Sequence, residues 1–175
     1  MRTLSAYCNA LSFIVQSTGR KLQPDEIVCN FDTDLFKALH GRFPIAIVRG
    51  SMYRLKQACR TKMEQLKISD DAINLAMEKG VLDMLATIPS GRVATAGISW
   101  VKQQMKTKCA SANVPYMQSQ WRLFWLYFRN TWCRQFSPEV WNMHGLSNRI
   151  IARTNNPLEQ LQKEVDVALP CLIRN

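Results

Sequence analysis

Asp32 is the acid around which chemistry is easiest to place. It follows Ile27-Val28-Cys29-Asn30-Phe31, a short and almost unbroken apolar run, and precedes Thr33-Asp34-Leu35-Phe36. β-Branched and aromatic residues in such a run favour a buried strand. Pro24 and Asp25 punctuate its start, as turn residues do. The order is therefore strand, carboxylate, helix. Open sheets carry their chemistry just beyond the carboxyl ends of their strands, so Asp32 is the first side chain to suspect of catalysis. Aspartate is also among the best helix N-caps, and a purely structural role fits the same position. A second acid, Glu159, closes the segment Arg153-Thr154-Asn155-Asn156-Pro157-Leu158-Glu159. There Asn156 suits the N-cap, Pro157 the first helical position, and Glu159 the position that bonds back to the cap amide.

The cations suggest a different chemistry. The chain has 23 Lys+Arg against 13 Asp+Glu and a pI near 9.6, a balance that points to polyanions, nucleic acid first among them. The excess has a location. From Met84 to Pro138 there is no acid, while Arg92, Lys102, Lys106, Lys108, Arg122, Arg129 and Arg134 all fall inside. Arg54, Lys56, Arg60 and Lys62 make the helix before it basic as well. Such a span is either a solvated helical face or a surface that meets phosphates.

These side chains need elements to hold them. Leu4, Tyr7, Cys8, Leu11, Ile14 and Val15 recur at helical spacing before Gly19, which predicts an amphipathic helix over 3–18. After the strand, the pattern predicts a short helix over 33–39 ended by Gly41, a turn at Phe43-Pro44, and a second strand over 45–48. Two strands joined by a helix should run parallel. From Met52 onward the pattern is helical. Met52, Leu55, Cys59, Met63 and Leu66 line one face, and a second helix starts at Ser69-Asp70-Asp71. An apolar turn follows over 81–86, with a break at Pro89-Ser90-Gly91. Further helices are expected over 93–108, weakened by Gly97, and over 117–132, which is rich in Trp, Phe and Tyr. Those aromatics are either core or a stacking platform for bases. A last helix starts at Pro157, with Leu158, Leu161, Val165 and Leu169 on one face.

At 175 residues the chain suits one domain with an insertion. Its six cysteines, at 8, 29, 59, 109, 133 and 171, include no Cys-x-x-Cys pair. That reads as reduced thiols of a cytosolic or nuclear protein rather than a disulfide frame or zinc site. No apolar run approaches the roughly 20 residues that span a bilayer, and the first residues lack the apolar region of a signal peptide, so no membrane association is expected.

Two stretches together resemble the Mutator-like (MULE) transposases. Arg153-Thr154-Asn155-Asn156-x-x-Glu159, preceded by Trp141-Asn142, is similar to that family's carboxy-terminal signature. Pro24, Ile27, Phe31-Asp32, Phe43-Pro44, Arg49-Gly50 and Gln57-Ala58 resemble its middle segment in the same order. The likeness covers roughly residues 7–68 and 120–163, and the ordered set is far more specific than any one piece. It implies an α/β, mostly helical fold: a truncated ribonuclease H-like core of two parallel strands plus helices over 1–68, a helical insertion over 69–150, and a C-terminal core helix over 151–175. It also implies a metal site for Mg²⁺ or Mn²⁺, with Asp32 as the family's second Asp and Glu159 as its Glu. In that family three carboxylates hold two ions that stabilise the attacking and leaving oxygens of phosphoryl transfer.

The likeness stops short of a working set. The family's first Asp, carried on an upstream strand, has no counterpart, and neither Asp25 nor Asp34 stands where it would serve. Ser51 and Arg54 occupy the positions of a Cys-x-x-His pair, and Gln160-Leu161 stands where an aromatic often follows the Glu. A guanidinium does not ligate metal. The expectation is a transposase fragment that is catalytically inactive alone and binds DNA weakly and without sequence preference. The cations expected to touch DNA are Arg54, Arg60, Lys102, Lys106, Lys108, Arg122, Arg129 and Arg153. Two alternatives stand beside it. One is a nuclease completed by a carboxylate from a second copy or a protein partner. The other is a small basic module for nucleic acid or protein that does no chemistry.

Overall fold

A computed structural model describes residues 3–19 and 22–146. Glu159, Arg153 and the expected last helix lie outside the described residues. The chain is α/β and mostly helical, with two strands in parallel. It divides into two compact units, one ending at Leu55 and the other beginning at Lys56.

The first unit begins with α1, Leu4–Ser17, whose amino end is capped by the Thr3 hydroxyl accepting from the Ala6 amide at 3.3 Å. It packs on α2, Thr33–Arg42. Only Tyr7, Leu11 and Val15, spaced one turn apart, are half-buried, whereas Leu4, Cys8 and Ile14 are exposed. A single neighbouring helix covers one line of α1, not the full expected face. β1, Glu26–Cys29, pairs in parallel with β2, Ile47–Gly50, and Ile27 stands opposite Val48.

β2 lies two residues beyond its expected place, and α2 runs through Gly41 rather than ending there. Pro44 explains both differences. The residue before a proline is disfavoured in the helical region, so Phe43 leaves the helix at φ −129°. The Ala46 amide then closes a turn on the Phe43 carbonyl at 3.1 Å. Ile45 is left on that turn, 92% exposed, and the ladder starts only where the Ile47 amide reaches the Asp25 carbonyl at 2.9 Å.

Alternation sorts the sheet into two faces. Ile27, Cys29, Val48 and Gly50 share the inner one, where Val48 and Gly50 are buried. Glu26, Val28, Ile47 and Arg49 share the other, where Val28 and Ile47 are exposed and Arg49 pairs diagonally with Glu26 at 3.1 Å. The Phe31 ring lies against Gly50 so closely that a Cβ there would come within 2.0 Å of it. Only glycine fits.

Helix α3, Met52–Gln65, spans the boundary between units and buries Met52, Leu55, Cys59 and Met63 as its spacing predicts. In the second unit α4, Asp70–Met77, is capped by the Ser69 hydroxyl. A 3₁₀ turn over Leu82–Ala86 is buried throughout. The break expected at Pro89-Ser90-Gly91 is instead a helix start. α5, Ser90–Arg92, passes into a wider π turn, Val93–Gly97, and then into α6, Ile98–Ser111. Gly97 weakens helix propensity, yet it marks the closest approach to the 3₁₀ turn and its flank, where a Cβ would stand 2.4 Å from Ile88.

α7, Gln118–Phe128, continues into a second π turn, Arg129–Gln135. Trp121, Phe124, Trp125, Phe128 and Trp132 are all buried. The aromatic stripe is core, and its large buried rings meet mostly edge to face, the arrangement that aromatic quadrupoles prefer.

Candidate functional site

Asp32 sits at the exit of β1, where the sequence places it, and its carboxylate is engaged on both oxygens. Oδ1 accepts the amides of Asp34 at 3.0 Å and Leu35 at 3.1 Å, capping α2. Oδ2 accepts the Tyr7 hydroxyl of α1 at 2.9 Å. Burial, and then the charge of Asp32, push the nearby Cys29 thiol up to about 11. Tyr7 is legible in the sequence as a helix-face residue, but its partner is not, because the bond spans 25 positions.

A divalent ion at this place would share Asp32 with its partners in the protein. The Asp32 carboxylate already accepts three hydrogen bonds, out of roughly four lone-pair sites on an ionised carboxylate. Among the described residues, no three His, Cys, Asp or Glu side chains converge to hold a metal. Of the two acids that the resemblance assigns to an ion pair, only Asp32 is among the described residues.

The remaining motif residues have structural contacts. The Ser51 amide extends the ladder to the Cys29 carbonyl at 2.9 Å. Arg54 donates from Nε to Asn30 at 3.1 Å, tying α3 to the loop after β1. The indole of Trp141 donates to the Trp132 carbonyl at 2.9 Å, and Asn142 donates to the carbonyls of Leu85 and Ile88, both at 2.9 Å. The Trp-Asn pair thus fastens the 3₁₀ turn to the end of the second π turn. Buried polar groups of this kind need such partners.

Sequence reasoning passed over Asp83. It is a lone acid in an apolar run, 5% exposed, and it accepts the Gly80 amide at 2.9 Å and faces Lys56 at 3.6 Å. Burial pushes its carboxyl up, against the pull of Lys56 and the Gly80 amide. A groove of about 510 Å³ also went unforeseen, walled by Leu22, Pro24, Phe43, Pro44 and Ile45 with Asp25 and Arg42 beside them. It opens at the amino ends of the two strands, whereas Asp32 follows the carboxyl end of β1.

The expected DNA-facing cations separate into two groups. Arg54 is held by Asn30. Arg60 donates to Asn74 at 3.0 Å and lies 4.0 Å from Glu64. Lys108 is paired with Glu78 at 2.6 Å. Lys102 and Lys106 instead hold their ammonium groups over the rings of Trp125 and Tyr116, each 5.7 Å from the ring centre. Arg122 is exposed on α7, and Arg129, at its end, is close enough to Lys102 to disfavour its charge. None of these four has an acidic partner among the described residues.

Comparison with known proteins gives no match: no family model, no curated protein and no solved structure matches the chain.

Proposed function

We propose that this chain is a fragment of a Mutator-like transposase core, ribonuclease H-like in ancestry, that performs no strand transfer alone and whose remaining activity is nonspecific DNA binding. The ordered motif set from Pro24 to Glu159 motivates the ancestry. The observation that carries the functional conclusion is the engagement of Asp32: the acid the resemblance assigns to metal binding is the N-cap of α2 and the acceptor for Tyr7. The coarse order of β1, α2 and a parallel β2 suits such a core. In the family, divalent ions supply the charge stabilisation for phosphoryl transfer, and three carboxylates place them. This chain has residues matching two of the three. Members of a cooperating catalytic set act together, so two of them alone fall short by orders of magnitude. A DNA partner carries with it a nuclear or cytoplasmic location.

The test is incubation of the purified protein with plasmid and oligonucleotide duplexes in Mg²⁺ and in Mn²⁺, beside an Asp32→Ala, Glu159→Ala double variant. The expected result is no cleavage or joining above that of the variant. Nicking by the wild type that disappears in the variant would restore the enzyme reading.

A further inference from the structure

We infer that the chain holds duplex DNA on the face of α6 and α7 that carries Lys102, Lys106, Arg122 and Arg129, by its phosphates and without stacking on its bases. This rests on the DNA reading above and specifies which surface serves it and which part of the ligand it grips.

The first support is the division among the cations. Arg54, Arg60 and Lys108 are held by groups of the chain itself. Lys102, Lys106, Arg122 and Arg129 lie in the span from 84 to 138 that contains no acid. Lys108 gains little from a phosphate, since one anion merely replaces another, and Arg54 and Arg60 would first have to leave Asn30 and Asn74, each an internal hydrogen-bond partner. A cation without such a partner gains the whole interaction and releases a counterion from the DNA.

The second support is geometry. Lys102 and Lys106 are one helical turn apart, about 6 Å along the axis of α6. Arg122 and Arg129 are seven residues apart on one side of α7, about 10 Å. Duplex DNA presents a charge for every ~1.7 Å of its axis, so cations spaced this way all find phosphates. The rings beneath the lysines fix where the ammonium groups stand, and of the three N–H donors on each ammonium those not aimed at its ring remain for a phosphate.

The third support is that like charges are held together. Burial lowers the affinity of Lys102 for its proton, and Arg129 and Lys106 lower it further. An anion lying across the three relieves that repulsion.

The same contacts exclude base stacking. Single-strand binders gain affinity from exposed aromatic rings. Here Trp125 is buried, and the Trp125 and Tyr116 rings each already carry an ammonium group.

The experiment measures anisotropy of a labelled duplex, and of either of its single strands, over a series of salt concentrations. Wild type is compared with Lys102→Gln/Lys106→Gln/Arg122→Gln/Arg129→Gln and with Lys108→Gln, each checked for folding by circular dichroism. For the wild type, log affinity should fall linearly with log salt, and the quadruple variant should bind more weakly with a slope shallower by about 3 to 4, near 0.9 for each phosphate released. Lys108→Gln, which removes an equal charge already paired with Glu78, should leave the slope within about half a unit of wild type. Should the quadruple variant not fold, Lys106→Gln and Arg122→Gln, both at exposed positions, should each reduce the slope by about one. A folded quadruple variant with wild-type affinity and slope would overturn the choice of face and leave DNA binding itself standing. Absence of wild-type binding at low salt would overturn both. Tighter binding of the single strand than of the duplex would overturn the exclusion of stacking.

Discussion

Replacing Asp32 by alanine separates an acid kept for chemistry from one kept for structure. The substitution removes three hydrogen bonds: two from the first turn of α2 and one from Tyr7. Loss of an N-cap costs about 1 kcal/mol. The bond from the Tyr7 hydroxyl goes to an ionised group, but the site is only part-buried, so about 1–1.5 kcal/mol is appropriate. Asp32→Ala should therefore destabilise by about 2–3 kcal/mol, read as a lower urea midpoint with an unchanged slope. The amides of Asp34 and Leu35 should lose their exchange protection first. Asp32→Asn should remain within about 1 kcal/mol of wild type, because asparagine caps nearly as well. A cycle of Tyr7→Phe with Asp32→Ala should give a coupling of about 1 kcal/mol. A carboxylate held in place for catalysis behaves otherwise, since active-site groups commonly cost stability. An Asp32→Ala protein as stable as wild type, or more so, would refute the structural role.

Gly50→Ala should destabilise by at least about 1–3 kcal/mol, because the new Cβ would meet three Phe31 ring atoms at 2.0–2.8 Å; Phe31→Ala in the same chain should recover part of the loss in a urea melt. Burial raises the folded pKa of Asp83 above its ordinary 3.8, so its contribution is greatest below that value and is lost as pH rises through the folded pKa. Asp83→Asn, which keeps an acceptor for the Gly80 amide, should then match or exceed wild-type stability by about 1 kcal/mol at neutral pH, and a loss above about 2 kcal/mol would mean that the Lys56 pairing dominates. The Cys29 thiol contributes stability that is fully present below pH 9.0 and lost as pH rises through about 11. Thiolate absorbance should show it titrating earlier in Asp32→Asn, and alkylation of the native chain should reach exposed Cys8 well before buried Cys59 and Cys109.

Local signals made much of the fold legible. The run from Ile27 to Phe31 announced β1, and the spacing from Met52 to Met63 announced the buried face of α3. β2 was misplaced because its apolar residues begin at Ile45, while the Pro44 turn and the pairing to Asp25 determine where the ladder starts. Pro89-Ser90-Gly91 read as a break because the same residue types that interrupt helices also begin them. At the candidate site, both roles for Asp32 were visible and the cap was identifiable from Thr33-Asp34-Leu35 alone. Its bond to Tyr7 was not, because no local pattern encodes a contact between α1 and the tip of β1. Which cations are neutralised was equally hidden. Lys108 and Lys106 look alike in sequence, and only the placement of Glu78, 30 residues from Lys108, distinguishes them.

The π turn at Val93–Gly97 acts as a phase shifter. A π turn accommodates more residues per revolution than an α turn, and each residue of an α-helix advances the direction of its side chains by about 100°. The orientation of everything carboxy-terminal in α6 therefore depends on how many residues that one turn contains. With its present count, Lys102 and Lys106 come to rest above Trp125 and Tyr116. Tightening that turn to an ordinary helix with all five of its residues retained would rotate both lysines by about a quarter-turn, away from the rings. The composition of the basic face would be unchanged, and its alignment with α7 would be gone.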